Sequence, residues 1–390
     1  MNRLEKILRQ TFVGRLVSPI QGLIEGARAE LANIEHDETD LTPGGWAKWV
    51  TPGWYFAARS CDLKAGQVRQ VRIGGKGLAL FRTENGQAVI SDLYCPHFGA
   101  NLGTGKVIGE TLQCPFHMWR YDTSGQCVHI PNCTKIPPKA KVKTYPVVER
   151  FQVIWLFVGD HRYYELPGEE EVFGGPFLIG GMKDFGSVRV DCRDVYENFL
   201  DVTHAKTIHN YDVKNFKLIE MDTSKRRVQQ SGEVYLTKKL RIDITSTLYG
   251  TGLYVAHMVG AQYLHPAFWI VAVQPIGPLT TRILLTSAMQ PRGQLVRDKF
   301  WSKWYAFAHI AGAKADIPIW NNKVIQENPV LCASDIGPIR KFRRYWAELD
   351  RIGRTGVEGT ETIDLDSHAS DLGPLPNHSN GNGAARIGTP

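Results

Sequence analysis

The chain has 390 residues, enough for two domains of ordinary size, and 43% of them are hydrophobic, which is normal for a globular protein. Its net charge of +7 is spread along the sequence, without aromatic residues interleaved in one basic stripe, so nucleic-acid binding is not indicated. The seven cysteines are odd in number and scattered, unlike the disulfide framework of a secreted protein, so we expect a reducing, cytoplasmic location.

The first 34 residues carry apolar side chains at three- and four-residue spacings among Arg and Lys. This pattern predicts an amphipathic helix that Pro19 interrupts, within a helical N-terminal extension of residues 1–45. Basic amphipathic helices bind proteins or membrane surfaces, and we favour packing on the body of the protein or on a neighbouring subunit. We expect neither a signal peptide nor a membrane span, because no apolar run approaches about 18 residues.

Short strand-like runs separated by Gly- and Asn-containing turns fill residues 46–165. They predict an all-β domain, a small antiparallel barrel or sandwich. Examples of the predicted strands are 67–73, 78–83, 88–93, 142–149 and 152–158.

Two Cys–His pairs lie in the predicted loops of this β domain. Cys95 and His97 are one residue apart in the first pair, and Cys114 and His117 are two residues apart in the second. Two thiolates and two imidazoles are the ligands of a Rieske [2Fe–2S] cluster, in which the cysteines bind one iron and the histidines the other. A structural zinc site is the alternative, but such sites commonly use a helix or a bare turn. We therefore predict a cluster that transfers single electrons.

Four large apolar side chains flank these ligands, and we expect them to shield the cluster from water. They are Phe98, Leu102, Phe116 and Trp119.

A second group of polar residues begins at Asn198. Asn198, Asp201 and His204 recur every three residues, so on a helix they would lie along roughly one side. His209 follows five residues after His204, which places the two imidazoles about 140° apart on a helix. Both reach one metal only if the helix ends or bulges between them. Two histidines and one carboxylate form the facial triad of non-heme Fe(II) oxygenases, and such an iron would accept the electrons of a Rieske cluster.

For residues 166–352 we predict a catalytic domain in which helices surround an antiparallel sheet. The predicted fold class is therefore α+β. An amphipathic run at 297–315 predicts a long helix, and residues 353–390 predict a disordered tail. Apolar residues such as Tyr249, Leu253, Tyr263 and Trp269 are candidates for a pocket wall or for plain core. The predicted strands are 233–238, 241–248, 254–259, 268–273 and 281–288.

From about Trp54 to Asp350 the chain resembles the α subunits of Rieske non-heme iron oxygenases. The subgroups it resembles most are the 3-ketosteroid 9α-hydroxylase oxygenases with the related cholesterol desaturases, and the aminopyrrolnitrin (arylamine) oxygenases. The shared segments are Gly53-Trp54-Tyr55, Cys114-Pro-Phe-His-x-Trp-Arg-Tyr-Asp, Gly125-Gln-Cys-Val-His-Ile-Pro131 and Pro146-Val-Val-Glu-Arg150.

The resemblance implies a third iron ligand, an aspartate near the end of a long helix. Candidates are Asp316, Asp335 and Glu327. Asp316 is favoured because it lies in Ala-Asp-Ile-Pro-Ile-Trp-Asn-Asn-Lys, which resembles the Asp-x-x-Ile-Trp-x-x-Lys of the subgroup. Its alternative role is the N-cap of a helix that starts around Pro318.

The resemblance also implies that the Asp201 carboxylate joins an iron-site histidine to a cluster histidine of a neighbouring subunit in a homotrimer. Asn198 would line or support the iron pocket.

The implied activity is that of a monooxygenase-type oxidoreductase. A separate ferredoxin or flavin reductase would pass electrons from NAD(P)H to the cluster, so the chain uses NAD(P)H only indirectly. O2 and Fe(2+) would then oxidise a hydrophobic ringed molecule by hydroxylation, desaturation, cyclisation or N-oxygenation. The alternative is an electron-transfer Rieske protein without oxygenase chemistry of its own, against which the length of the chain argues.

Overall fold

The structure, a computed structural model, describes residues 41–42, 45–237, 240–260, 264–332 and 336–357. The predicted N-terminal helix, Asp335, Tyr263 and most of the predicted tail lie outside these residues. The last described helix ends at Thr355, so the chain is still helical at Gly353, where the tail was predicted to begin.

Three small antiparallel sheets form the first half of the described chain, as the alternation of short runs and turns predicts. A two-residue turn, Gly74-Gly75, joins the second and third strands, and both glycines have positive φ, of 59° and 80°. In spatial order the sheets contain β1 (Gly53–Arg59), β11 (Val153–Val158) and β10 (Val147–Arg150); β2 (Val68–Ile73), β3 (Lys76–Arg82), β4 (Ala88–Asp92) and β9 (Thr144–Tyr145); and β5 (Lys106–Ile108), β6 (Thr111–Gln113), β7 (Arg120–Tyr121) and β8 (Cys127–His129).

One predicted strand of this half, 142–149, is divided in the structure. Pro146 separates β9 from β10, and the two strands belong to different sheets. Proline has no N–H to donate to a strand ladder, so the chain changes sheets at this residue.

A seven-stranded antiparallel sheet forms the second half. Five of its strands correspond to the predicted ones, and the first two in chain order, β12 and β13, were not predicted. In spatial order the strands are β12 (Leu178–Val188), β18 (Thr280–Met289), β17 (Ala267–Gly277), β16 (Leu253–Val259), β15 (Leu240–Tyr249), β14 (Arg227–Thr237) and β13 (Asp212–Asp222).

Helices cover this sheet. The long predicted helix lies against β12 and β18, and Gly180 permits its close approach, since a Cβ at Gly180 would lie 1.9 Å from the carbonyl oxygen of Ser302. The described helices are α1 (Glu169–Phe173), α2 (Cys192–Glu197), α3 (Val202–Thr207), α4 (Leu295–Ala313), α5 (Ile317–Asn322) and α6 (Ile336–Thr355). None of them is long and apolar enough to cross a membrane.

A continuous hydrophobic core joins the two halves. It includes Leu80 and Ile154 from the first half and Val195 and Trp346 from the second. The indole N–H of Trp346 also donates a hydrogen bond of 2.9 Å to the hydroxyl of Thr51, which precedes β1. The small sheets and the large sheet are therefore packed as one body.

Candidate cluster site and mononuclear iron site

Each Cys–His pair lies in a short loop that a backbone hydrogen bond closes. The N–H of Cys95 donates to the carbonyl of Ala100 at 2.9 Å, and the N–H of Cys114 donates to the carbonyl of Trp119 at 2.8 Å. Met118 takes a φ of 58°, which tightens the second loop. Each loop, closed by its own hydrogen bond, therefore carries one thiol and one imidazole.

The four predicted ligands come together in the structure. Cys95 and Cys114 are buried, and the imidazole rings of His97 and His117 are 4.7 Å apart between centroids. The Nδ1 atom of His97 is buried without a hydrogen-bond partner among the described residues, which suits an atom that binds a metal. The residues present therefore fit a cluster.

The arrangement argues against the zinc alternative. The donor atoms of one tetrahedral zinc site lie within about 4 Å of one another. Within the described residues, only one group of three or more His, Cys, Asp or Glu donor atoms lies within 4.8 Å of one another, and the cysteine loops do not contain it. A compact donor set for a single ion is thus not found among the described residues of these loops.

The expected shielding of the cluster holds for two of the four apolar residues. Leu102 is fully buried, and Trp119 stacks on His97 at 4.3 Å between centroids. The expectation is wrong for Phe98 and Phe116, which remain 72% and 61% exposed. Each nevertheless contacts an imidazole in a tilted arrangement, Phe98 with His97 at 4.3 Å and Phe116 with His117 at 3.8 Å between centroids.

Tyr121 is a further residue of this site. Its hydroxyl lies 3.1 Å from the Sγ of Cys95. Burial, and after it the neighbouring Cys95, raise the pKa of Tyr121, so the hydroxyl keeps its proton and would donate a hydrogen bond to the sulfur of Cys95 if that sulfur held a metal as a thiolate. The sequence contains Tyr121 in the shared segment after Cys114, but nothing in its spacing assigns it this role.

The second predicted site is also assembled. The Nε2 of His204 lies 2.9 Å from the Oδ1 of Asp316, and the Nε2 of His209 lies 3.0 Å from the Nε2 of His204 and 3.3 Å from the Oδ1 of Asp316. In the part of the chain that the structure describes, these three residues are the one group of His, Cys, Asp or Glu whose donor atoms all lie within 4.8 Å of one another.

Local structure explains how two histidines five residues apart reach one point. Asp201 has extended backbone and begins α3, which ends at Thr207, and Asn210 has a φ of 56° just after His209. The helix therefore ends between the two histidines, as their spacing required. Asn198 lies in a separate 3-10 turn, Asn198–Leu200, so the predicted single helical side for Asn198, Asp201 and His204 is wrong.

Asp201 and Asn198 both contact His204, through different atoms. The carboxylate of Asp201 accepts a hydrogen bond from the backbone N–H of His204 at 3.0 Å. The backbone carbonyl of Asn198 lies 3.1 Å from the Nδ1 of His204. Asn198 therefore supports a ring of the triad with its main chain.

Asp316 lies between α4 and α5, where Pro318 prevents one continuous helix. It occupies the N-cap position of α5, but its side chain makes no capping hydrogen bond and contacts the two histidines instead. The alternative ligand Glu327 lies elsewhere, with its carboxylate 3.9 Å from Arg193.

The triad residues shift one another's pKa values. Burial by itself would raise the pKa of Asp316, but the hydrogen bonds and charges of the two histidines outweigh it, and the pKa is lowered. Burial by itself would lower the pKa of His204, but the hydrogen bond and charge of Asp316 outweigh it, and the pKa is raised. The site therefore favours an ionised carboxylate, the form that binds a metal.

A cavity of about 270 Å³ opens onto this triad. Its wall is mostly apolar, and Trp269 contributes to it as one of the candidate wall residues. Leu253 belongs to the buried core instead, and its neighbour Tyr254 faces the cavity, because successive side chains of a strand point to opposite faces. Tyr249 likewise packs against the core.

Comparison with known proteins identifies two domain families along this chain. The Rieske [2Fe-2S] domain family matches residues 53–146, and the 3-ketosteroid 9α-hydroxylase C-terminal domain family matches residues 159–348. A cholesterol 7-desaturase of Ciona intestinalis is 28% identical over 324 residues, covering 76% of this chain and 68% of that protein. The oxygenase component of a probable 3-ketosteroid-9-alpha-monooxygenase of Rhodococcus rhodochrous is 27% identical over 321 residues, covering 76% and 79%.

Solved structures share the fold. NdmA of Pseudomonas putida CBB5 aligns with a TM-score of 0.59 at 20% identity, covering 76% of this chain and 90% of that one. Dicamba monooxygenase bound to dicamba aligns with a TM-score of 0.56 at 19% identity, covering 77% and 97%. With a Rieske domain, a ketosteroid-hydroxylase-type catalytic domain and this fold, the chain belongs to the Rieske non-heme iron oxygenases and is an oxidoreductase of that type.

Proposed function

We propose that the protein is the oxygenase component of a multi-protein monooxygenase that oxidises a hydrophobic polycyclic molecule at an Fe(2+) ion held by His204, His209 and Asp316. The observation that carries this proposal is the convergence of the three donor atoms, 2.9 to 3.3 Å apart, at one end of an apolar cavity. Cys95, His97, Cys114 and His117 would bind the [2Fe–2S] cluster.

The donor spacing suits one six-coordinate ion. Three atoms that bind an ion at about 2.1 Å, with bond angles near 90°, lie about 3.0 Å from one another. The distances of 2.9, 3.0 and 3.3 Å between the donors are close to this value. Three protein ligands on one face leave the opposite face for small molecules, and iron(II) bound in this way would supply the centre at which O2 is reduced.

Neighbouring residues prepare the ligands. The carbonyl of Asn198 accepts the Nδ1–H of His204, which leaves the Nε2 lone pair directed toward Asp316 and His209. The end of α3 and the break before α5 bring the three side chains together. Apolar residues of the cavity wall exclude water from the same space.

We propose that Asp201 carries electrons between subunits of a homotrimer. A carboxylate between two imidazoles offers a short hydrogen-bonded route. The proposal is supported by an exposed apolar rim around the cluster histidines, because such a rim favours burial against another protein surface. It consists of Tyr94, Phe98, Phe116 and Met118, which are 62%, 72%, 61% and 55% exposed.

We infer a steroid-like substrate from the cavity and the relatives. A largely apolar cavity of about 270 Å³ suits a small ringed molecule with few polar groups. The relatives are named for a steroid monooxygenation and a sterol desaturation, so hydroxylation and desaturation are the outcomes with most support. An arylamine-like substrate is the second choice. The words "oxygenase component" in a relative's name support a separate reductase, which would be a ferredoxin or flavin reductase in the same cytoplasm.

The test begins with metal content. Iron and acid-labile sulfide are measured per chain after anaerobic purification, together with the EPR spectrum of the dithionite-reduced protein. We expect three irons and two sulfides in the wild type, and two of each with an unchanged EPR spectrum in the D316A variant. Two irons in the wild type that added Fe(II) does not raise would support the electron-transfer alternative. With three irons present, the proposal requires O2- and reductase-dependent product from a panel of steroids.

A further inference from the structure

The cavity wall contains a histidine that takes no part in the iron site. His309 lies on α4, seven residues before Asp316, and faces the cavity. Its imidazole is not among the three donor atoms that lie within 4.8 Å of one another at the triad, so His309 lines the cavity without belonging to the group that could hold the ion.

Ser287 of β18 determines which nitrogen of this ring carries the proton. Ser287 is fully buried, and its Oγ lies 2.9 Å from the Nδ1 of His309. Its hydroxyl has no other hydrogen-bond partner among the residues that the structure describes. A buried hydroxyl needs an acceptor, so Ser287 donates to Nδ1 and the proton of the neutral ring resides on Nε2.

The Nε2–H group has no partner in the described parts of the chain and faces the cavity. Aromatic rings hold the imidazole on two sides, with Trp269 nearly parallel to it at 6.1 Å and Tyr305 at 5.9 Å between centroids. Burial lowers the pKa of His309 to about 4, so the ring is neutral at physiological pH. A fixed, neutral donor thus faces a mostly apolar space.

We propose that the Nε2–H of His309 is the anchor for a carbonyl or hydroxyl oxygen of the substrate, and that Ser287 is a positioning residue that maintains the donor tautomer of the ring. This inference rests on the proposed function, because it concerns the substrate of the same cavity. An unmade hydrogen bond in an apolar site is costly, so the anchor selects molecules that supply an acceptor there. A rigid ring skeleton would bring a carbon remote from that oxygen to the triad.

The test compares ligands that differ only in this oxygen. Monoketo steroids with the ketone on the first or on the last ring are each paired with the deoxy analogue. Dissociation constants come from quenching of tryptophan fluorescence, because Trp269 and Trp304 line the cavity. For at least one pair we expect the wild type to bind the ketone about tenfold more tightly than the deoxy steroid.

Two substitutions of His309 separate the roles of its two ring nitrogens, because each keeps a hydrogen-bonding group at the place of only one of them. In H309N the amide reaches the place of Nδ1 and keeps a partner for Ser287, but the cavity donor is lost. In H309Q the amide reaches the place of Nε2 and keeps a donor in the cavity. We expect H309N to weaken binding of the preferred ketone about tenfold without changing the deoxy steroid, and H309Q to restore much of the preference. The ketone preference of S287A should lie between those of H309N and H309Q. In turnover of the ketone, the variants should raise KM more than they lower kcat.

The outcomes separate this inference from the proposed function. The anchor is overturned if the wild type fails to prefer a ketone in any pair, or if H309N weakens ketone and deoxy binding equally. Iron content and O2 uptake are measured on the same preparations. Three irons with normal turnover and no ketone preference would reject the anchor alone, whereas a ketone preference in a chain without mononuclear iron would reject the proposed function alone.

Discussion

The backbone N–H of His204 donates a 3.0 Å hydrogen bond to the carboxylate of Asp201, so the residue proposed to relay electrons also caps the helix that carries a proposed iron ligand. Asparagine caps a helix about as well as aspartate, whereas alanine does not. Substitutions at this position therefore separate the charge of Asp201 from its structural role.

We expect D201N to keep its iron and its thermal stability, but to slow electron transfer from the cluster to the iron roughly hundredfold. D201A should in addition lose about 1 kcal/mol of stability, because the cap is removed. The measurement is stopped-flow reoxidation of the pre-reduced cluster in the presence of O2 and substrate. If D201N reoxidises at the wild-type rate and D201A does not, capping is the whole role of Asp201.

Tyr121 should tune the cluster potential. A hydrogen bond to a cluster sulfur stabilises the more electron-rich, reduced state, so Y121F should lower the reduction potential by on the order of 50 mV. Spectroelectrochemical titration measures the shift. Y145F is a control, because Tyr145 is a buried tyrosine of the same domain whose hydroxyl bonds Asp92 rather than a cysteine. Equal shifts in both variants would contradict the assignment.

Asp191 should make stability depend on pH. It borders a small internal cavity, and its carboxylate accepts the backbone N–H of Arg193 at 2.8 Å to cap α2. Burial raises its pKa to about 7, although the charge of Arg193 opposes this. In the unfolded chain the group ionises near pH 4, so the stability it contributes is complete below about pH 4 and is lost progressively as pH rises to about 7.

The D191N variant keeps a capping oxygen and does not titrate. Its stability advantage over the wild type should therefore grow by about 2 kcal/mol between pH 5 and pH 7 and stay constant above that. Urea unfolding of both proteins at a series of pH values gives the difference directly. An advantage that does not change with pH would show that Asp191 is ionised throughout.

Gly252 should be essential for packing between the two halves of the molecule. A Cβ at this position would lie 1.7 Å from the carbonyl oxygen of Trp54 in β1. We expect G252A to lower the free energy of unfolding by about 2–4 kcal/mol, because β1 must shift away from the large sheet. Thermal unfolding followed by circular dichroism and by cluster absorbance measures the loss. G168A is the matched control, since nothing lies within 4 Å of its Cβ, and a similar loss there would reject the explanation.

The proposed metal ligands were predictable from the sequence to different degrees. Cys95, His97, Cys114 and His117 are close in sequence within each pair, and the short spacing itself limits where the side chains can go. His204 and His209 were also marked by spacing, with the required end of the helix between them. Asp316 was chosen through a family resemblance alone, because folding of the large sheet brings together residues 112 positions apart.

Two strands of the large sheet, β12 and β13, were not predicted, and in each a physical feature weakens the strand pattern of the sequence. β12 contains Gly180, Gly181 and Gly186, and glycine has low strand propensity, yet the first two provide the space in which α4 packs. In β13, Asn215 has a φ of 51° and the register of its pairing with β14 shifts between Lys214 and Lys217, which disturbs the alternation of apolar residues. Tertiary packing determines both strands.

Roles that depend on a partner residue far away in the sequence could not be recognised from the sequence. Tyr121 matters because Cys95 is beside it, and His309 because Ser287 fixes its tautomer. Neither pair has a recognisable spacing, so only the folded chain reveals them.

The number of residues between His204 and Asp316 along the chain also bears on the stability of the domain. Nearly the whole large sheet lies between these residues, and an ion bound by both ties the two ends of that segment together. In an unfolded chain, closing a loop of about 100 residues removes conformational entropy worth about 4–5 kcal/mol, as a disulfide of that span would. Iron at this site would thus act as a reversible cross-link of the catalytic domain, one that forms and breaks with metal binding rather than with oxidation of thiols.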